Sequence, residues 1–272
     1  QPLRNQSARK FMHQARKRFG QHFLHDSTVI DRILRAVNPA ENDKLLEIGP
    51  GQGALTYPLL KLCKSMTAVE LDRDLIAGLQ AGSKRFGDLH LINSDVLKFD
   101  LATLPGDDRY RLVGNLPYNI STPLMFHLLN SVERIEDMIF MVQKEVGLRI
   151  VAPHGTGHYG RLSIMLQYHC KCDYLFEVGP ESFSPPPKVD SAIIRLTPHR
   201  QPQYDIGDYE LFSLLVQTAF GQRRKTISNS LKTMASREIL EACAIDPGLR
   251  AENLTLGNFS QLSNYLSKHA HG

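Results

Sequence analysis

Leu45-Leu46-Glu47-Ile48-Gly49-Pro50-Gly51-Gln52-Gly53 is the stretch on which the fold turns. Its first four residues are a short apolar run of the kind found in strands buried on both faces of a parallel sheet. Alternating glycines follow, and then an apolar helix is expected from Ala54 to Cys63. Strand, glycine-rich turn and helix together make a nucleotide fingerprint credible. Glycine lets the backbone come close to a ligand, and the helix N-terminus faces it. The spacing is G-x-G-x-G, not the fuller G-x-G-x-x-G of dehydrogenases. It leaves a dinucleotide and S-adenosylmethionine both open, although a methyl donor has no pyrophosphate to cradle and suits the looser loop.

Working outward, Met66 to Leu71 reads as a second strand, and Glu70 at its end falls about 20 residues past the first glycine. In such folds a carboxylate there takes both ribose hydroxyls. Leu89 to Asn93 is a third strand, and Ser94-Asp95 after it offers an acceptor for an adenine amine. Upstream, Asp26 and Ser27 are candidate N-caps for a helix carrying Val29, Ile30, Ile33, Leu34 and Val37, which stops before Pro39.

A second decisive stretch is Gly114-Asn115-Leu116-Pro117-Tyr118-Asn119, which follows the strand-like Tyr110, Leu112 and Val113. Open α/β sheets bind ligands at the carboxyl ends of their strands. Pro117 has no N–H and disfavours helix at Leu116, which leaves nearby carbonyls free to accept. An amide, a free carbonyl and an aromatic face suit a planar base with an exocyclic amine. Asn115 and a main-chain oxygen would take the two amine hydrogens while the ring stacks on Tyr118. An Asn-Pro turn beside an active site, with Tyr118 as packing, is the plainer alternative.

Further along, Pro123 to Leu129 reads as helix, Met138 to Val142 as strand, and Gly160 to His169 as helix. His154 and His158 lie in a glycine-rich loop with no third ligand, so they are read as surface residues and no metal is expected. Strands around Tyr174–Val178 and Ala192–Leu196 flank Phe183 through Ser191, whose three prolines make a stiff connection. That connection would close the sheet with one antiparallel strand. It would also hold Phe183 as a second aromatic wall opposite Tyr118, with Lys188 near a phosphate. The texture changes around Pro198–Pro202, and from Asp208 onward the pattern is helical.

The expected fold is therefore α/β, a Rossmann-like, mostly parallel sheet with a small C-terminal all-α domain. The divisions are a basic flexible tail over 1–18, a cofactor-binding domain over 19–200, and a helical RNA-binding domain over 201–272. The net charge of +4 over 272 residues is modest, but its distribution is informative. No acid precedes Asp26, whereas Arg4, Arg9, Lys10, Arg16, Lys17 and Arg18 do; Arg223-Arg224-Lys225 form a second basic cluster. Such blocks make solvated tails or phosphate contacts. No apolar run approaches a membrane span, and the start lacks the apolar core of a signal peptide. Cys63, Cys170, Cys172 and Cys243 have no zinc-like spacing, and reduced thiols in a cytoplasmic protein are expected.

Taken together, the motifs resemble the ribosomal RNA adenine N6,N6-dimethyltransferases. The carrying residues are Arg16 through Leu24, Glu47-Ile48-Gly49-Pro50-Gly51, Glu70-Leu71-Asp72, Asn115 through Thr122, and Phe183 through Ser191. Within the family the likeness is nearest to the bacterial small-subunit (16S), kasugamycin-resistance branch, through Asn-Leu-Pro-Tyr and Ala219 through Ile227. The resemblance implies a class I methyltransferase fold, S-adenosylmethionine as cofactor, and two methyl transfers to each of two adjacent adenosines in the 3′-terminal hairpin of small-subunit rRNA. It implies His22, Leu24, Gly49, Gly51, Glu70, Asp95 and Asn115 around the cofactor, and Asn115, Pro117, Tyr118 and Phe183 around the adenine. Arg16, Lys17, Arg18, Lys188, Arg223, Arg224 and Lys225 would contact RNA, in a partly assembled 30S particle met by a monomer. The sequence departs from the family at His22 and Gly221, where Asn is common. A large-subunit (23S) dimethyltransferase, and an assembly or transcription factor on the same scaffold, are the alternatives.

Overall fold

A computed structural model describes residues 22–269. In chain order the elements are β1 (Phe23–Leu24), α1 (Ser27–Val37), β2 (Leu45–Ile48), α2 (Thr56–Cys63), β3 (Ser65–Glu70), α3 (Arg73–Ser83) and β4 (Asp88–Asn93). There follow β5 (Tyr110–Asn115), α4 (Ser121–Leu129), β6 (Ile135–Gln143), α5 (Lys144–Val151), α6 (Arg161–His169), β7 (Cys170–Val178), β8 (Phe183–Ser184) and β9 (Ser191–Pro198). The chain ends in α7 (Tyr209–Phe220), α8 (Ile227–Ser230), α9 (Arg237–Ala242) and α10 (Leu256–His269).

Seven strands make one sheet in the order β4-β3-β2-β5-β6-β9-β7. Pairings from β4 through β6 are parallel, and β9 runs antiparallel to both of its neighbours, so it is the one reversed strand. This is the expected sheet. Its interior reads as continuous apolar sequence because both faces are covered: all four residues of β2 are buried, as are Met138 to Val142 in β6. Alternate residues serve opposite layers. Leu46, Leu112 and Phe140 face α4, α6 and the C-terminal helices, whereas Leu45, Val113 and Ile139 face α1, α2 and α3.

Asp26 caps α1, accepting from the Thr28 and Val29 N–H groups at 2.9 and 3.3 Å. The helix ends at Asn38, in the left-handed conformation with φ 45°. Helix α2 begins two residues later than the apolar pattern suggests, because Gly53 has φ +89° and the turn is still in progress there.

The C-terminal helices share the apolar cluster of one sheet face: Phe212, Leu215 and Phe259 belong to the same packed group as Leu162 and Met165 of α6. The seam between α6 and α7 is aromatic. Tyr168 stacks on Tyr209 with centroids 5.9 Å apart, and His169 Nε2 lies 2.9 Å from the Tyr209 hydroxyl. Burial, then the proximity of His199, pushes the His169 imidazole down to about 4. A depressed folded-state pKa means that the unfolded chain takes the proton first. The stability is present above about pH 6.5 and is lost as the pH falls toward 4. Unfolding in urea at pH 7 and pH 4.5 should show a decline of about 2 kcal/mol attributable to this ring. In His169→Gln that share of the decline should vanish; an unchanged pH slope would place the acid lability elsewhere.

Candidate active site

The site is assembled from strand ends. Gly49 and Gly51 turn the chain away from β2 with φ +67° and +58°, a region that side-chain-bearing residues avoid. The Gly49 N–H reaches back to the Val69 carbonyl at 2.9 Å, tying the turn to the next strand. At the end of that strand Glu70 accepts from Gly51 N–H at 3.1 Å through one oxygen and from Asp72 N–H at 2.8 Å through the other. Each carboxylate oxygen keeps a second lone pair for a ribose hydroxyl. Burial raises the Glu70 pKa, while the two N–H groups pull it down.

Beneath this turn lies Glu47, 2% exposed, with the Thr56 hydroxyl donating to it at 2.6 Å. Burial, and Glu70 nearby, push its carboxyl up to about 8. Next along the sheet edge, Asp95 accepts from the Leu97 N–H at 3.0 Å, and the Ser94 N–H reaches the Glu70 carbonyl at 3.2 Å. The turn that carries Asp95 is thereby tied to the strand end that carries Glu70.

At the tip of β5, Gly114 lets the strand lie close against β2. A Cβ there would stand 2.5 Å from the Ile48 carbonyl oxygen. Asn115 follows, and its Nδ2 donates to the backbone carbonyl of His22 at 3.0 Å. Because only the NH2 end of an amide can face a carbonyl, this bond fixes the flip of Asn115 and leaves Oδ1 as the available acceptor. The Leu116 N–H goes to the Met141 carbonyl at 3.0 Å, and among the described residues no backbone N–H takes the Leu116 carbonyl. Pro117 disfavours a helical conformation at Leu116, and the Ile120 N–H goes to the Pro117 carbonyl at 3.1 Å instead. Tyr118 points its hydroxyl at Ser191 Oγ, 2.7 Å away, and burial raises its pKa.

These residues share one cavity of about 370 Å³, in the range of small-ligand sites. His22, Leu24, Gly49, Gly51, Glu70, Asp95, Asn115, Pro117 and Tyr118, all expected from the sequence, line it. Its lid is the segment around β1, where the Phe23 ring lies 3.3 Å from the position a Gly51 Cβ would take. Strand β1 is held down by antiparallel pairing with β8, Phe23 opposite Ser184 and Leu24 opposite Phe183. The donor set suits S-adenosylmethionine: a carboxylate for the ribose, a carboxylate for the adenine amine, and glycines close to the rest of the chain of the ligand.

Two expectations need correction. Phe183 does not stand as an open wall opposite Tyr118; it is 3% exposed and packs with Leu24, Val178 and Ile193 in the apolar layer under β1. Pairing with Leu24 draws its side chain inward. The ring that lies along Tyr118 is His22, with centroids 5.5 Å apart and planes inclined by 29°. Arg223 is also engaged within the protein. Its Nη2 donates to the carbonyls of Gly157 and Tyr159 at 2.7 and 3.2 Å and sits 3.5 Å from Glu252. It ties the glycine-rich loop to the C-terminal helices, whereas Arg224 and Lys225 beside it are exposed. Lys188 is exposed, and Arg16, Lys17 and Arg18 lie outside the described residues. Sequence reasoning missed the Thr56–Glu47 and Tyr118–Ser191 bonds and the His22 stack; no periodicity signals contacts of that kind.

A sequence profile of the family described as "Ribosomal RNA adenine dimethylase" matches residues 12–268. The chain is 53% identical over 259 residues to the ribosomal RNA small subunit methyltransferase A of Pseudomonas aeruginosa, covering 95% of this chain and 97% of that protein. It is likewise 53% identical over 254 residues to the protein of the same name from Alcanivorax borkumensis, covering 93% and 90%. Among solved structures, a dimethyladenosine transferase from Plasmodium falciparum superposes with a TM-score of 0.78 at 27% identity, covering 91% of this chain and 98% of the other. The 23S rRNA methyltransferase ErmE gives 0.70 at 26% identity, covering 90% and 99%.

Proposed function

Because this chain belongs to the ribosomal RNA adenine dimethylase family, we propose that it places two methyl groups on N6 of each of two adjacent adenosines in the 3′-terminal hairpin loop of small-subunit rRNA. The observation that carries the proposal is the fixed flip of Asn115, which leaves Oδ1 as an acceptor at the tip of β5, one residue before a Leu116 carbonyl that no described backbone N–H takes. Two acceptors on adjacent residues can take the two hydrogens of one exocyclic amine. The lone pair of that nitrogen is normally delocalised into the purine ring. Hydrogen bonds that hold its two N–H groups toward a tetrahedral geometry return the pair to nitrogen, where it can attack.

S-adenosylmethionine supplies the electrophilic methyl group when bound by Glu70, Asp95 and the glycine turn. The chain's own part is to extract, stack and orient the base. Removing a loop base from its stack costs a few kcal/mol, and stacking on Tyr118 returns roughly 1–3 kcal/mol. No side chain is needed as a general base before attack, because the methylated ammonium loses its proton readily to water. Orientation and lone-pair localisation supply most of the rate. After the first transfer one N–H remains for the two acceptors, which leaves enough to position the second attack.

The small-subunit assignment is supported by the 53% identity to small-subunit enzymes, against 26% to the large-subunit enzyme ErmE. The substrate in this reading is a partly assembled 30S particle in the cytoplasm, met by a monomer. The helical segment 201–272 together with Arg224, Lys225 and Lys188 faces RNA phosphates, and Arg16, Lys17 and Arg18 add to that charge. No described helix is long and apolar enough to cross a membrane.

The test uses small and large subunits from a strain that lacks the protein, incubated with the pure chain and labelled methyl donor. Label should accumulate on two neighbouring adenosines near the 3′ end of small-subunit rRNA, each dimethylated. Label on large-subunit rRNA instead, or on no RNA, would overturn the assignment.

A further inference from the structure

His22 is the residue that the expected roles leave least explained. Its backbone carbonyl orients Asn115, and the residue lines the cavity beside Tyr118. There the imidazole lies along Tyr118, 5.5 Å between centroids and 29° from parallel. Its Nδ1 is 2.8 Å from the Pro185 carbonyl. A carbonyl can only accept, so Nδ1 carries the proton in that bond. The ring is thus a flat, nitrogen-bearing heterocycle, held by one hydrogen bond and one stacking face, against the side chain that is to receive the adenine. Phe183, which could have formed an opposite wall, is buried beneath the same segment.

We propose that the His22 imidazole is a stand-in base, occupying the Tyr118 face on which the target adenine stacks and leaving when that base arrives. The proposal rests on the adenine slot described under the proposed function, and it adds to the place of His22 in the cofactor cavity a role toward the RNA base. Several features of the geometry support displacement over permanent packing. His22 is only partly buried, so its ring has solvent to move into. Its stacking partner is itself anchored from the far end by Ser191, so Tyr118 stays in place when the imidazole leaves. The Asn115 bond uses the His22 backbone, not its ring, so the acceptor geometry survives the swing. A stack of this type is a modest interaction, which a purine with its larger face can replace.

The consequence is on affinity. The arriving base must displace one stack and one hydrogen bond, so wild-type affinity is lower than the slot alone would give. In His22→Asn the competitor is gone, and the base should bind about three- to tenfold more tightly.

The experiment uses the full chain with isotopically labelled histidine, saturated with S-adenosylhomocysteine so that the cofactor pocket is filled. Adenosine 5′-monophosphate is the probe for the slot. The His22 ring-proton resonance, assigned by its disappearance in His22→Asn, should start upfield because it lies over the Tyr118 ring. It should move to the position of a solvent-exposed histidine as the nucleotide saturates. Tyr118→Ala should abolish both the starting shift and the nucleotide binding. If the nucleotide binds in a Tyr118-dependent way while the His22 signal stays put, or if the signal moves with S-adenosylhomocysteine alone, the stand-in role is wrong and the adenine slot survives. If binding is the same in wild type and Tyr118→Ala, the slot itself fails, and this inference with it. The resonance is read on the unaltered protein, and His22→Asn, whose other histidine signals should stay in place, serves only to assign it.

Discussion

Asn115→Ala should reduce methyl transfer to rRNA by about a thousandfold or more while RNA affinity stays within about threefold of the parent. A prearranged polar group that acts on developing charge in a dry site is typically worth 10²–10³ in rate, and Asn115 does two things at once. Its Oδ1 is one of the two acceptors for the target amine, and its Nδ2 holds the His22 carbonyl and with it the lid over the glycine turn. In the proposed reading the phosphate contacts lie elsewhere, on Lys188, Arg224 and Lys225, so capture of the RNA should not suffer. Asn115→Asp discriminates further. It keeps an acceptor toward the amine but sets a carboxylate oxygen against the His22 carbonyl, two acceptors with no hydrogen between them. Activity should fall in the order Asn, Asp, Ala, measured as single-turnover methyl incorporation into undermethylated small subunits. An alanine variant within tenfold of the parent would mean that Asn115 is a turn residue and that the lone pair is localised by other groups.

The parts of this site that were legible in the sequence are those written in consecutive residues. Leu45 to Gly53 states a strand and a glycine turn, and Glu70 sits at the distance one helix and one strand impose, so both fall where the physics of a parallel sheet puts them. The reversed strand β9 was legible for a related reason: a proline-stiffened connection after Phe183 leaves room for an antiparallel return and no room for a crossover helix. What escaped depends on pairing across long separations. The match of β1 with β8 joins residues about 160 positions apart, and neither two-residue strand has a period to detect. That pairing buries Phe183, which looked from its neighbours like an exposed ring. Arg223 shows the same limit in electrostatic form. Its place in a run of three cations suggested phosphate, while Glu252 and two loop carbonyls, remote in sequence, had already claimed it.

Glu70→Ala should weaken S-adenosylmethionine binding by at least about a hundredfold, and Glu70→Gln should come close to that loss although it preserves shape. The reason is that both Glu70 oxygens are already acceptors within the protein, one for Gly51 N–H and one for Asp72 N–H. An amide offers only one oxygen. Its NH2 must therefore face one of those N–H groups, leaving a buried donor unpaired at roughly 1–3 kcal/mol and turning the glycine loop out of register. The ribose loses its charged acceptor in the same step, and hydrogen bonds to charged groups are worth roughly 1.5–3 kcal/mol each. Calorimetric titration with S-adenosylhomocysteine measures the effect without turnover. RNA affinity in the absence of cofactor should be unchanged, which separates a cofactor defect from a folding defect. If glutamine restores near-parental affinity, the two backbone bonds are incidental and the ribose needs no charged acceptor. If alanine does so as well, the ribose is not at the end of β3, and the sheet holds its cofactor by some other edge.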